Sequence, residues 1–212
     1  MASKSTNAPD PVSGLRKASG GRGAGYRKGD ARREEILRGV TALFVAEGYR
    51  RQSLRDIGAA LAIEPAHILY YFSNREELLQ NVIELWDSDA MRAQDEDGAG
   101  PNLEGFVAAV RRNCSAAGMG HLFLAMAVDA VDPAHVSHAF FCQRVTRVRT
   151  SLALAVRAEQ VSGRIVATVD PDLSARNLMG LADGLQLQAL LQGRNNVVED
   201  LEQAIRHLRG ED

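Results

Sequence analysis

The sequence predicts an all-α protein: an N-terminal three-helix domain with a helix-turn-helix, joined through a fourth helix to a helical C-terminal domain. Three observations carry this. Apolar residues recur at i, i+3, i+4 and i+7 along most of the chain, which is the period of one helix face. Caps and breakers bracket those stripes, among them Ser53, Gly163, Asp170-Pro171 and Gly193. No stretch alternates with the period of two that a half-buried strand needs, and no segment repeats.

Residues 1–28 are rich in Gly, Ser, Lys and Arg without a hydrophobic period, and read as a disordered basic tail. Its Arg16, Lys17, Arg22, Arg27 and Lys28 suit an arm reaching DNA, or equally a merely solvated segment. Residues 29–90 form the first domain. Ile36, Leu37, Val40, Leu43 and Phe44 make a continuous stripe, and Gly48 stands where the helix needs a left-handed end. Leu54, Ile57, Gly58 and Leu61 form the face of a second helix, capped by Ser53 with Asp56 three residues on. Pro65 suits the first turn of a third helix, on which Ile68 and Phe72 are an i, i+4 pair. Ser73 is expected to cap the fourth, with Glu76 at N3, and the helix to run past Trp86 towards Ala93.

Residues 91–212 form the second domain, opened by the breaker Asp95 to Pro101. Leu103, Phe106, Val107 and Val110 make one stripe, and the apolar run His121 to Val128 should be buried. Asp132-Pro133 is expected to start a helix reaching Val161. Asp170-Pro171 starts another that ends at Gly193 and is apolar on more than one face. Asn196 is placed to cap the last, with Val197, Leu201, Ile205 and Leu208 on one side.

Composition narrows the class of protein. The 212-residue chain carries no apolar run of the ~18–20 residues that a membrane span requires, so no membrane partner is expected. Cys114 and Cys142 lack metal-ligand spacing and suit a reducing cytoplasm, although a redox disulfide is an alternative. The net charge of −2 conceals an asymmetry: residues 1–80 hold thirteen Lys and Arg against nine Asp and Glu. Phosphate contacts need that kind of local surplus rather than a basic whole. No Gly-rich phosphate loop, nucleophile elbow or zinc-protease motif is present, so neither an enzyme nor a cofactor is expected. Asp129, Asp132, His135 and His138 recur every three residues, and the two histidines suit a divalent cation; the same residues equally suit a helix start, where acids complement the dipole. No metal is assigned.

The stretch 53–72 has the form of a helix-turn-helix, which lays its second helix in the DNA major groove; any small helical hairpin shares those spacings. The ordered set is more specific. Arg33 to Phe44, Glu47-Gly48-Tyr49, Ser53-Leu54-Arg55-Asp56-Ile57, Ile68-Leu69-Tyr70-Tyr71-Phe72 and Asn74-Arg75-Glu76-Glu77-Leu78-Leu79 together resemble the DNA-binding domain of the TetR family of bacterial transcriptional regulators. Three positions depart from that family's pattern. Ala62 stands where the turn usually has Gly, Glu64 where the recognition helix usually has a Ser or Thr cap, and Leu69 where many relatives have Tyr. A left-handed Ala costs on the order of 1 kcal/mol. Glu64 is a poorer cap that repels phosphate but can accept from a cytosine amino group.

The resemblance implies a double-stranded DNA operator as partner. Arg55, Pro65, Ala66 and His67 are expected at base edges, with Glu64 beside them, and Ser53, Tyr70, Tyr71 and Arg75 at phosphates. It also implies a homodimer through residues 171–192 and 196–209. Two-fold symmetry argues the same way, since a dimer reads two half-sites about 34–36 Å apart. Finally, it implies a cavity for an unknown small-molecule effector, with Phe106, Val110, Phe123, Met126, Phe140, Phe141, Arg144, Met179, Asp183 and Gln186 as candidate lining, each equally able to be ordinary core. Arg144 suits an acidic ligand or an internal carboxylate such as Asp183. The expected function is a ligand-responsive repressor. The alternatives are an activator, an effector-independent DNA-binding protein, or a helical ligand-binding protein that does not engage DNA.

Overall fold

A computed structural model describes residues 21–95, 100–193 and 196–211, and all regular structure among them is helical. The helices are α1 (Gly21–Glu47), α2 (Leu54–Leu61), α3 (Pro65–Tyr71), α4 (Arg75–Asp95), α5 (Leu103–Ser115), α6 (Ala117–Asp129), α7 (His138–Val161), α8 (Pro171–Gln192) and α9 (Val197–Arg209). The helix carries residues 21–28, expected in the tail, into α1; residues 1–20, with the rest of that tail, lie outside the described residues.

The expected capping box of α2 is present. Asp56 N–H donates to Ser53 Oγ at 3.2 Å, and Ser53 N–H donates to Asp56 Oδ2 at 2.9 Å. Ala62 ends the helix in the left-handed region, φ 53° and ψ 41°. The turn is closed by Ile63 N–H on Gly58 O at 2.8 Å, and a Cβ on Gly58 would meet Ile63 O at 2.5 Å. Position 58 therefore needs glycine for the tightness of the turn, and position 62 pays strain that glycine would relieve. Ala62→Gly is expected to stabilise the chain by up to about 1 kcal/mol, the left-handed penalty less the entropy of a freer unfolded chain. An unchanged or lower denaturation midpoint would show that the turn bears no strain.

Several expectations are corrected by what the backbone needs locally. The fourth helix is capped one residue later than Ser73: Asn74 Oδ1 accepts from Glu77 N–H at 2.8 Å, and Glu77 in return accepts from Ser73 N–H at 2.7 Å. Glu76 is thus displaced from the box by Glu77. The long helix does not start at Asp132-Pro133. Asp132 Oδ1 takes Ala134 N–H at 2.9 Å in an Asx-type turn, further turns follow, and α7 begins at His138. Asn196 occupies the N-cap of α9 but makes no side-chain cap bond. On α6, Leu122 and Met126 are buried whereas Val128 is 69% exposed, so the run His121–Val128 is buried on one face only.

Two apolar clusters hold these helices. The first joins Ile36, Val40 and Phe44 of α1, Ile57 of α2, Ile68 and Phe72 around α3 and Leu78, Leu79 and Val82 of α4, and continues into Met119, Leu122 and Met126 of α6 and Phe141 of α7. The second joins Leu103 and Val110 of α5, Leu152 and Val156 of α7, Leu178 and Ala182 of α8, and Leu201 and Ile205 of α9. Burying each large side chain contributes about 1.5–3 kcal/mol. By packing, α6 bridges the two halves: it joins α1 and the first cluster on one side and meets α5 and α8 on the other. The contact with α1 is close: a Cβ on Gly118 would lie 2.0 Å from Phe44 O and 2.8 Å from Gly48 Cα.

The second cluster is locked by a buried carboxylate. Glu159, 3% exposed, accepts from Arg209 Nε at 2.7 Å and pairs with Arg164 at 3.1 Å, so α9 and the turn after α7 close on one anion. The carboxylates of Glu159 and Glu104 hold the Arg209 guanidinium firmly protonated.

Candidate nucleic-acid interface and internal cavity

The third helix is short, and its partition of side chains is sharp. Ile68 and Phe72 turn into the first cluster, whereas Ala66, His67, Leu69 and Tyr70 face outward, Tyr70 79% exposed. Pro65 and Tyr71 are half-buried. The Tyr71 ring is flanked by Tyr70 at 4.9 Å and His67 at 5.6 Å between centroids, so the outer face is an aromatic ledge. Glu64 caps nothing with its side chain and is exposed, as are Ser53 and Arg55 at the start of α2. The Ser53 hydroxyl is already engaged: it donates to Asp56 Oδ2 at 2.7 Å. That bond and the Ser53 N–H hold the Asp56 carboxyl below its ordinary range.

Arg75, expected at phosphate, is engaged by the fold itself. Its Nε donates to Gln52 O at 2.6 Å, its Nη2 to Tyr49 Oη at 2.9 Å, and its Nη1 lies 3.4 Å from Glu76 Oε1. The side chain is only 23% exposed and lies 5.9 Å from the centre of the Tyr49 ring. Its fork therefore pins the loop before α2 to the start of α4. Tyr49 in turn stands edge-on to His121 of α6 at 5.5 Å. Sequence reasoning had no access to these partners, because they come from three separate segments.

The other candidate site is a cavity of about 190 Å³ bounded by α4, α5, α6, α7 and α8. Of the candidate residues, Phe106, Val110, Phe123, Arg144, Met179, Asp183 and Gln186 line it. Met126, Phe140 and Phe141 do not. They pack with the helix-turn-helix cluster, since α7 starts against α4 and α6 before it reaches the cavity. Trp86, Asp87 and Met91 of α4 line it too and are not among the expected residues: the sequence places the domain boundary inside that helix, and nothing in it marks a face turned to the cavity.

Charge in the cavity is organised around Asp87. Arg144 donates to it through Nε at 2.7 Å and Nη2 at 3.0 Å, and Arg147 lies 3.5 Å away. The expected internal partner of Arg144 is thus Asp87 rather than Asp183. The Arg144 guanidinium also covers the Phe123 ring at 4.3 Å. Trp86 Nε1 donates to Asn113 Oδ1 at 2.7 Å, and Arg112 stacks on the indole at 3.5 Å. Burial pushes the Asp183 carboxyl above its ordinary range, the charge of Arg144 acting against that shift.

The histidines near the start of α7 serve the backbone. His138 Nδ1 meets Ala130 O at 2.9 Å, and Ser137 N–H donates to His135 Nδ1 at 3.2 Å. Among the described residues no group of three His, Cys, Asp or Glu is placed to hold a metal ion. Cys114 and Cys142 are free thiols on α5 and α7. Among the described residues no helix is long and apolar enough to cross a membrane.

A helix-turn-helix carried on a helical body, with one face of its second helix turned outward, is the architecture of a DNA-binding module. Residues 36–82, from α1 through the helix-turn-helix into α4, match the family described as bacterial regulatory proteins, tetR family. The whole fold is shared with solved structures. A Rhodococcus sp. protein assigned to the TetR family aligns with TM-score 0.66 at 18% identity, over 84% of this chain and 99% of its own. The regulatory protein TetR from Rhodobacter sphaeroides aligns at 0.61 and 20%, over 84% and 97%. Thermus thermophilus FadR, a TetR-family transcriptional repressor in complex with lauroyl-CoA, aligns at 0.54 and 18%, over 84% and 94%. No curated protein matches the chain in sequence.

Proposed function

We propose that this protein is a ligand-responsive repressor that binds a palindromic operator as a homodimer. The observation that carries the reading is the division of α3: Ile68 and Phe72 anchor it, and Ala66, His67 and Tyr70 are left outward with Arg55 at the start of α2. In this reading His67 and Arg55 meet base edges and Tyr70 meets phosphate. Arg75 is assigned to positioning the loop before α2, and Ser53 and Tyr71 to holding the domain's own structure.

Self-association is supported by the outer face of α8. Leu173, Asn177, Gly180, Gly184, Leu187 and Leu191 follow one another at alternating steps of four and three, the seam spacing of paired helices. Leu173, Leu187 and Leu191 are exposed, and a Cβ on Gly180 or Gly184 would meet nothing within 4 Å. On α9, by contrast, Val197, Val198, Leu201 and Ile205 all turn inward. We therefore place the principal contact on 171–192, with 196–209 contributing polar residues at its edge.

Effector control is supported by position. The cavity touches α4 through Asp87 and α8 through Asp183, so a guest there bears on both the helix leading to the helix-turn-helix and the helix proposed for pairing. The lauroyl-CoA complex of the Thermus relative supports a small-molecule effector for this fold, not its identity. An effector acts only to the extent that it prefers the DNA-free arrangement, typically by about 1–3 kcal/mol.

Gel shifts with the intergenic DNA beside the protein's own gene test the reading. Salt-sensitive binding is expected, with protection of two half-sites on one face of the duplex. His67→Ala should cost about 1–3 kcal/mol on that DNA and little on unrelated DNA, whereas Tyr70→Ala should weaken both equally. Binding unaffected by either change would reject α3 as the reading helix.

A further inference from the structure

We propose that the effector, on the regulator reading above, is a small, largely apolar molecule carrying one protonated amine, and that Asp183 is its anchor. The argument rests on which polar groups of the cavity remain unspent. Arg144 has given two donors to Asp87, which also faces Arg147. The Trp86 N–H is taken by Asn113. Asn102 accepts from Gly105 N–H at 2.6 Å and donates to Gly100 O at 2.9 Å. Gln186 donates to Ala182 O at 3.0 Å, which leaves its oxygen.

Asp183 stands apart from these. It faces the same space with no hydrogen bond or ion pair to any described residue, although most of its surroundings are protein. Donors also remain, among them the Ser151 hydroxyl and the Asn113 amide N–H, but the charged group that lacks a partner is a carboxylate drawn partly out of water. A carboxylate so placed gains most from a cationic donor, because charge-assisted bonds are the strong ones and reduced solvation amplifies them. An acidic ligand meets the opposite situation: the cations it would seek, Arg144 and Arg147, already share Asp87, and it would lie beside Asp183.

The rest of the wall is apolar, from Phe106 and Val110 to Val148, Leu152 and Met179. At about 190 Å³ the space is somewhat larger than the ~150 Å³ cavity known to hold benzene, which suits one ring with a short chain. Asp183 also precedes Gly184 of the outward α8 seam, so a ligand held by its carboxylate bears directly on the helix proposed for pairing.

The test uses three probes with one body: 2-phenylethylamine, 2-phenylethanol and 3-phenylpropionate. Calorimetry on the full chain near neutral pH is expected to show the amine binding about tenfold or more tighter than the alcohol, with the acid weakest. Asp183→Asn, nearly equal in volume, should erase the preference for the amine and leave the alcohol within about twofold. A melting curve confirms that the variant is folded. Tighter binding of the acid, a preference that survives Asp183→Asn, or no binding of any probe to folded protein would each overturn the proposal. A gel shift in the same buffers keeps the two readings separate. Amine preference in a protein that binds no DNA counts against the repressor reading alone, whereas DNA binding without amine preference, or amine binding that leaves DNA affinity unchanged, counts against this one alone.

Discussion

Replacing Gly118 with alanine is expected to cost about 3 kcal/mol and to loosen α6 from the helix-turn-helix domain. The added Cβ would be driven against backbone, Phe44 O at 2.0 Å and Gly48 Cα at 2.8 Å, and backbone has no rotamer through which to yield. Repacking requires α6 to slide off the end of α1, which strips Met119 and Leu122 from the shared cluster and separates His121 from Tyr49. Two measurements check it. The denaturation midpoint should fall, and DNA affinity should respond less to a cavity ligand. Gly120→Ala is the control, since its Cβ would stand 3.7 Å from Asn113 O, an ordinary contact on the same helix. A Gly118→Ala protein as stable as the Gly120→Ala protein would show that α1 and α6 are not in backbone contact.

Arg75→Ala is expected to destabilise the N-terminal domain by about 2 kcal/mol, because one guanidinium satisfies both Gln52 O and Tyr49 Oη. DNA binding should fall with it, through misplacement of α2, while the slope of affinity against salt stays the same. A phosphate contact predicts the reverse: unchanged melting and a slope reduced by about one. Arg75→Lys should rescue little, since an ammonium cannot span both acceptors with the geometry of the fork. Thermal melting and salt-titrated gel shifts on the same samples separate the two roles.

The helix-turn-helix was legible because its determinants are local. Ser53 with Asp56 closes its box within one turn, Gly58 and Leu61 share a helix face, and Ile68 and Phe72 are four residues apart. The α8 boundaries were legible for the same reason, with Asp170 accepting from Asp172 and Leu173 N–H and Gly193 left-handed. Where two local signals competed, the sequence reading chose wrongly. Ser73 and Asn74 are both good caps, and only the position of Glu77 selects Asn74. Asp132-Pro133 is equally a helix start and an Asx turn.

Local pattern by itself determined the all-α class, the element order, the DNA-reading unit and its departures at Ala62 and Glu64. Helical periodicity and capping are properties of neighbours in the chain, and neighbours are what a sequence displays. Tertiary structure alone decided that Arg75 faces inward, that Arg144 takes Asp87 rather than Asp183, that α6 bridges to the helix-turn-helix half, and that Asp183 faces a cavity with no hydrogen bond or ion pair to any described residue. Each of these depends on which distant groups arrive first at a given charge or face. An arginine's sequence context does not reveal whether its fork meets a carbonyl, a carboxylate or water. In this chain that arrival spends the cations on the fold and leaves a carboxylate facing the cavity.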